Sequence, residues 1–159
     1  GSLFRLTGDL DRAEEDLLEA LRISKAVGDR SLTGWTSAEL ARVRLARGDE
    51  SGAREALREP DVGPLEDQSS MRQAEALLLR AAGETDRARS IAAGVVEEAR
   101  AEGNRNHVAA LTWWVGRLFG ENLAGGSDAV EEAGRTLEAA HWIQSLREPD
   151  LWTEPVPAG

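Results

Sequence analysis

The chain has 159 residues, enough to bury a real core as one domain. Its net charge of −10 argues against a surface built to neutralise nucleic-acid phosphates, so direct nucleic-acid binding is not expected. Cysteine is absent, which removes disulfide frameworks and thiolate metal sites and fits a reducing cytoplasm.

Nothing marks the chain for a membrane. No apolar run nears the ~18 residues of a span, and no signal-peptide pattern opens it. Gly1-Ser2 reads as a tag remnant without structural weight. Leu3–Thr7 supplies only the last turn of a helix, so the chain reads as starting inside a repeat, as part of a larger protein. An irregular N-terminus that folds back is the open alternative.

Thr7–Arg30 follows as a turn, an amphipathic helix and a second turn. Leu10, Ala13, Leu17, Ala20 or Leu21, and Ser24 share one face of a 3.6-residue period. Asp9 is placed to cap the helix start, Arg22 and Lys25 suit its negative end, and Gly28 can close it. A second helix runs from after Ser31 to about Arg47, with Leu40, Val43 and Leu45 or Ala46 apolar, and Gly48-Asp49 turns the chain. A third, from about Glu50 to Arg58, is stopped by Pro60, and a loop takes residues 61–66. A fourth spans roughly 67–82 and a fifth roughly 85–102. Glu102-Gly103-Asn104-Arg105 echoes Val27-Gly28-Asp29-Arg30, and both read as turns with a left-handed glycine. A sixth helix covers about 106–119, and residues 120–126 form an inserted loop. Asp128 and Glu131 read as a capping box opening a seventh helix that runs to Leu146. Leu-Arg-Glu-Pro-Asp occurs at 57–61 and again at 146–150, and reads as one stop signal used twice. Leu151–Gly159 is expected to be extended unless Trp152 docks.

One pattern recurs along this order. Gly8-Asp9 with Ala13 returns as Gly48-Asp49 with Ala53, and again as Gly83-Glu84 with Ala88, at spacings of 40 and 35 residues. A period in that range marks stacked helical repeats. The order Gly-Asp, Ala, then a large apolar residue four later (Ala13-x3-Leu17) resembles the second half of a tetratricopeptide (TPR) repeat, whose pattern is W-x2-L-G-x2-Y…A-x3-F…P. Val115-Gly116-x2-Phe119 matches the first half. Leu40-Ala41 stands where the family has Leu-Gly, with Arg44 in the aromatic position, and Glu75-Ala76-x2-Leu79 departs from the pattern. The long periods are similar to TPRs in the regulatory tails of large bacterial signalling ATPases and LuxR-like transcriptional regulators.

The resemblance implies an all-α, right-handed helical-hairpin solenoid over residues 1–148, with repeats at roughly 3–30 (incomplete), 31–61, 66–103 and 105–147 and a Pro-containing tail at 149–159. It implies a protein–protein interaction or scaffold module of a cytoplasmic bacterial regulator, holding a peptide or a neighbouring domain on its concave face. Carried over by position, that face would include Trp35, Arg42, Gln73, Leu77, Arg80, Trp113 and Arg117. Ala38, Leu45, Ser70 and Ala110 would lie beside them.

A strip of Trp and Arg on an acidic protein suits an acidic peptide, because Arg grips carboxylates in bidentate fashion and Trp supplies packed area. The plainer alternative pairs each Arg with nearby Glu or Asp and packs each Trp between hairpins, with Trp114 as the core one. The alternative function is homodimerisation through the incomplete N-terminal repeat. Catalysis is not expected, nor any cofactor or metal. His107 and His141 lack partners at ligand spacing and read as partly buried, hydrogen-bonded histidines. The carboxylate pairs fall on solvent faces, and Leu123–Ser127 lacks the Lys of a phosphate loop.

Overall fold

The computed structural model describes residues 7–59 and 69–153. Leu3–Leu6, the loop expected at 61–66 and residues 154–159 lie outside the described residues. Every regular element described is helical: α1 (Thr7–Val27), α2 (Arg30–Ala46), α3 (Glu50–Ala56), α4 (Ser69–Ala81), α5 (Thr85–Glu102), α6 (Arg105–Leu118), a 3-10 turn (Glu121–Ala124), α7 (Ser127–Ala139) and α8 (Ile143–Thr153). The protein is all-α. Its described residues fall into two compact units, one from α1 to Ile91 within α5, the other from Ala92 to the end of α8.

The glycine–acid and glycine–Asn pairs at the helix ends have a local cause, which Gly8-Asp9, inside α1, does not share. Gly28, Gly48, Gly83 and Gly103 all take positive φ, between 73° and 82°, where a side chain costs energy and glycine does not. The residue after the glycine donates back over the helix end: Asp29 N to Ser24 O at 3.0 Å, Asp49 N to Arg44 O at 2.9 Å, Glu84 N to Leu79 O at 2.9 Å. In two cases that residue's carboxylate then caps the following helix. Asp29 accepts from Leu32 N at 3.0 Å and Asp49 from Gly52 N at 2.8 Å. Asn104 does the same for α6, accepting from His107 N at 3.1 Å. One dipeptide therefore satisfies the last carbonyls of one helix and a first amide of the next.

Four sequence expectations are corrected. Asp9 lies inside the first turn of α1, not ahead of it. No capping box opens α7: its N-cap is Gly126, with no side-chain cap bond, because the chain enters the helix before reaching Asp128. The seventh helix does not reach Leu146. It ends at Ala139, where His141 takes φ 60°, and α8 starts at Ile143. The second Leu-Arg-Glu-Pro-Asp string is not a stop: Leu146–Asp150 lies within α8, with Pro149 buried inside the helix. Leu151–Thr153 is accordingly helical, and Trp152 is half-buried.

In the first unit α2 is covered on most sides. Ala38, Leu40 and Ala41 meet Ala53 and Ala56 of α3 and Met71, Ala74 and Leu78 of α4, with Leu17 and Leu21 of α1 packed alongside. The alanines let the helix axes approach closely, and the leucines fill the space between. The contact of α1 with α2 is polar as well as apolar. Thr33 Oγ1 lies 2.9 Å from Ser24 Oγ and 2.8 Å from Asp29 O, and Ser24 Oγ lies 3.0 Å from Leu21 O. Three contacts thus share two protons among buried hydroxyls.

Arg44, in the family's aromatic position, ties three helices. Its Nε donates to Glu14 Oε1 of α1 at 2.9 Å and its Nη1 to Gly52 O of α3 at 3.0 Å. Arg47 also bonds Glu14, and reaches Asp11 at 2.7 Å. The Arg44 side chain is 16% exposed, so little water replaces these bonds when they are lost. Arg44→Ala is expected to lower unfolding free energy by about 1–3 kcal/mol in urea titration.

The second unit packs Val95 and Ala99 of α5 on Val108 and Leu111 of α6, and Ala109 of α6 on Ala133 and Leu137 of α7. Glycines set the close approach of α6 and α7. A Cβ on Gly116 would strike Val130, and one on Gly134 would come within 2.7 Å of the Trp113 ring. Trp114 is 2% exposed, as the sequence reading expects, with its ring centroid 5.2 Å from that of Phe119.

Candidate functional site

The first unit carries one group of the candidate residues on α2 and α4. Trp35 stands on the outer edge of α2, 51% exposed. Arg42, two turns on, is held rather than free: its Nη2 donates to Gln73 Oε1 of α4 at 3.0 Å, and its Nη1 lies 3.6 Å from Glu39 Oε1. Gln73 also donates to Ser69 Oγ at 3.3 Å. Leu77 is a core residue, 2% exposed, and offers a guest no side-chain surface in this state, as is also true of Ala38. Arg80 is half-buried near the end of α4. The result is one side of α2 with an exposed aromatic, Trp35, and, two turns further along, an anchored guanidinium that is 11% exposed.

The second unit carries the other group. Arg117 stacks over the Trp113 ring, 5.1 Å from guanidinium carbon to centroid. The Trp113 Nε1–H donates to Leu146 O of α8 at 3.0 Å, and Arg117 Nη2 lies 3.4 Å from Asp150 Oδ1 of α8. This face is already occupied by the chain's own last helix. Sequence reasoning misses that helix as a separate element because it runs α7 on to Leu146 and takes Pro149 for a stop.

It also missed an apolar edge near the α1–α2 turn. Ile23 and Val27 are 46% and 72% exposed, and Leu32 is 40% exposed. The signal was present: Ile23 and Val27 are four apart and off the face of α1 that holds Leu17, Leu21 and Ser24.

Among the described residues, the titratable groups with a clear shift are an exposed pair. Glu19 is held below the usual carboxylate range by hydrogen bonds from Arg22, whose own pKa rises for the same reason, on a fully exposed turn of α1. Such a lowered carboxyl favours the folded state above its ordinary titration range, and that contribution fades as pH falls through the lowered value. His107 lies 3.9 Å from Glu102 Oε2. His141 is exposed, contrary to the expected partial burial, and its distinguishing feature is its backbone. Among the described residues no three His, Asp or Glu gather as a metal site would need, and no helix is long and apolar enough to cross a membrane.

No family model, curated protein or solved structure matches the chain.

Proposed function

We propose that this chain is a TPR-like helical-repeat module that binds a protein segment, as part of a larger cytoplasmic bacterial regulator, and that it has no chemistry of its own. The observation that carries the reading is the α2–α4 band. A half-exposed Trp35 stands on the same side of α2 as an Arg42 already oriented by Gln73 and Glu39. Large aromatic area on the same helix face as a fixed guanidinium is the composition of an interaction hot spot. An acidic, partly apolar peptide suits this face: its apolar side chain packs on the indole, and its carboxylate joins Glu39 at the exposed edge of the Arg42 guanidinium. The glycine stops after α1, α2, α4 and α5, with the alanines that α2, α3 and α4 turn toward one another, support the repeat reading.

The test is selection from a displayed random peptide library on the folded protein. Selected peptides are expected to be enriched in Asp and Glu with an apolar residue nearby, and to bind less tightly as salt rises. Trp35→Ala should weaken them at least ten-fold without changing the circular dichroism, since the ring is already half in water. Selected peptides that bind Trp35→Ala as well as the parent would rule this face out.

A further inference from the structure

The joint between α7 and α8 stands apart from the other helix stops. Trp142 N donates to Leu137 O at 2.9 Å and His141 N to Glu138 O at 3.1 Å, so the chain closes α7 as it closes α1 and α2. At four other stops the left-handed residue is glycine, and here it is His141 at φ 60°. Among the described residues it is the one non-glycine with positive φ. Histidine tolerates this region better than most side chains, yet it still carries a cost that glycine does not.

The joint is also short. Ala140, His141 and Trp142 alone separate two helices that fold back on one neighbour. If His141 and Trp142, neither of them helical here, both take right-handed helical angles, the three residues continue α7 into α8. One helix then spans Ser127–Thr153, and α8 leaves α6. That motion uncovers Trp113 and Arg117 on α6 and Leu146, Pro149 and Asp150 on α8.

We infer that α8 is exchanged between two copies of this chain, giving a two-fold dimer in which each copy's α8 covers the other's Trp113–Arg117 face. The occupant is specified by the closed form. The face holds a backbone carbonyl at Leu146 and a carboxylate at Asp150 four residues on, and the α8 of a second copy supplies both in register. Exchange remakes each of these contacts and releases the strain at two joints instead of one. The charge of −10 per chain opposes the pairing, so added salt favours it.

Size-exclusion chromatography with light scattering on the full chain reads the association constant. The parent should show a monomer and a slowly exchanging dimer. His141→Gly removes the strain and should lower the association constant, by up to roughly ten-fold per joint and hence roughly a hundred-fold per dimer. His141→Val puts a β-branched residue at the same angles and should raise it. Spin labels at Glu131 and Arg147, both exposed, should lie ~24 Å apart within each chain of the dimer, the length of 16 residues of continuous helix, when labelled chains are diluted with unlabelled ones so that pairs between copies, which keep the monomer's distance, are not seen. Circular dichroism confirms that each variant folds. An association constant that neither substitution moves would overturn the exchange, as would a dimer whose label distance equals the monomer's. A monomer whose labels nonetheless separate would assign the open face to a foreign helix, and would overturn it too.

Discussion

Trp114→Ala is expected to lower the unfolding free energy by about 3–5 kcal/mol, the range for deleting a buried aromatic. The residue is 2% exposed and packs on Phe119 in the second unit. Its loss removes the largest fully buried side chain and leaves a hole that its neighbours fill only in part. For a chain of this length the melting temperature should fall by roughly 10 °C. Trp114→Phe separates two contributions. It keeps an aromatic ring near Phe119 and deletes an indole N–H that is buried without a hydrogen-bond partner among the described residues. Its cost should therefore be well under half that of the alanine variant. Equal losses in the two variants would mean that Trp114 is not packed as described.

Leu40→Ala is expected to cost about 2–5 kcal/mol, read as a shift of the urea midpoint with little change in slope. Leu40 is 1% exposed and belongs to the cluster that joins α2, α3 and α4. Neighbouring alanines cannot swell to fill the void, which places the site toward the upper half of that range. Leu18→Ala is the control. Leu18 is 43% exposed on α1, and its truncation should stay within roughly 0.5 kcal/mol of neutral.

The two residues differ in how readily the sequence discloses them. Leu40 falls on an evident apolar stripe, and Trp114 is separated from its neighbour Trp113 by helical angle alone. Helix stops were equally legible wherever glycine made them, because a left-handed backbone angle leaves its mark as a residue type. The stop at His141 left no such mark, so one long helix was read where two exist. Pro149 misled in the opposite direction. Proline in a helix is costly enough to be read as an end, yet burial holds this one inside α8.

The candidate faces were half legible. Helical spacing grouped Trp35 with Arg42, and Trp113 with Arg117. It did not disclose that Leu77 belongs to the core or that Asp150 reaches Arg117. Those facts depend on which helix lies across which, and periodicity within a single helix carries no record of its neighbours. The same holds for Arg44, whose link from Glu14 to the Gly52 carbonyl joins segments about 30 and 8 residues away along the chain.

The uneven sealing of the tryptophans also makes the protein its own optical probe. Trp35 and Trp142, both partly in water, should emit to the red of the enclosed Trp114 and be the first quenched by iodide. With Trp142 replaced by Phe, a guest settling on α2 would register as a blue shift and as protection of Trp35 from the quencher. With Trp35 replaced instead, straightening of the α7–α8 joint would be followed at Trp142, without any attached dye.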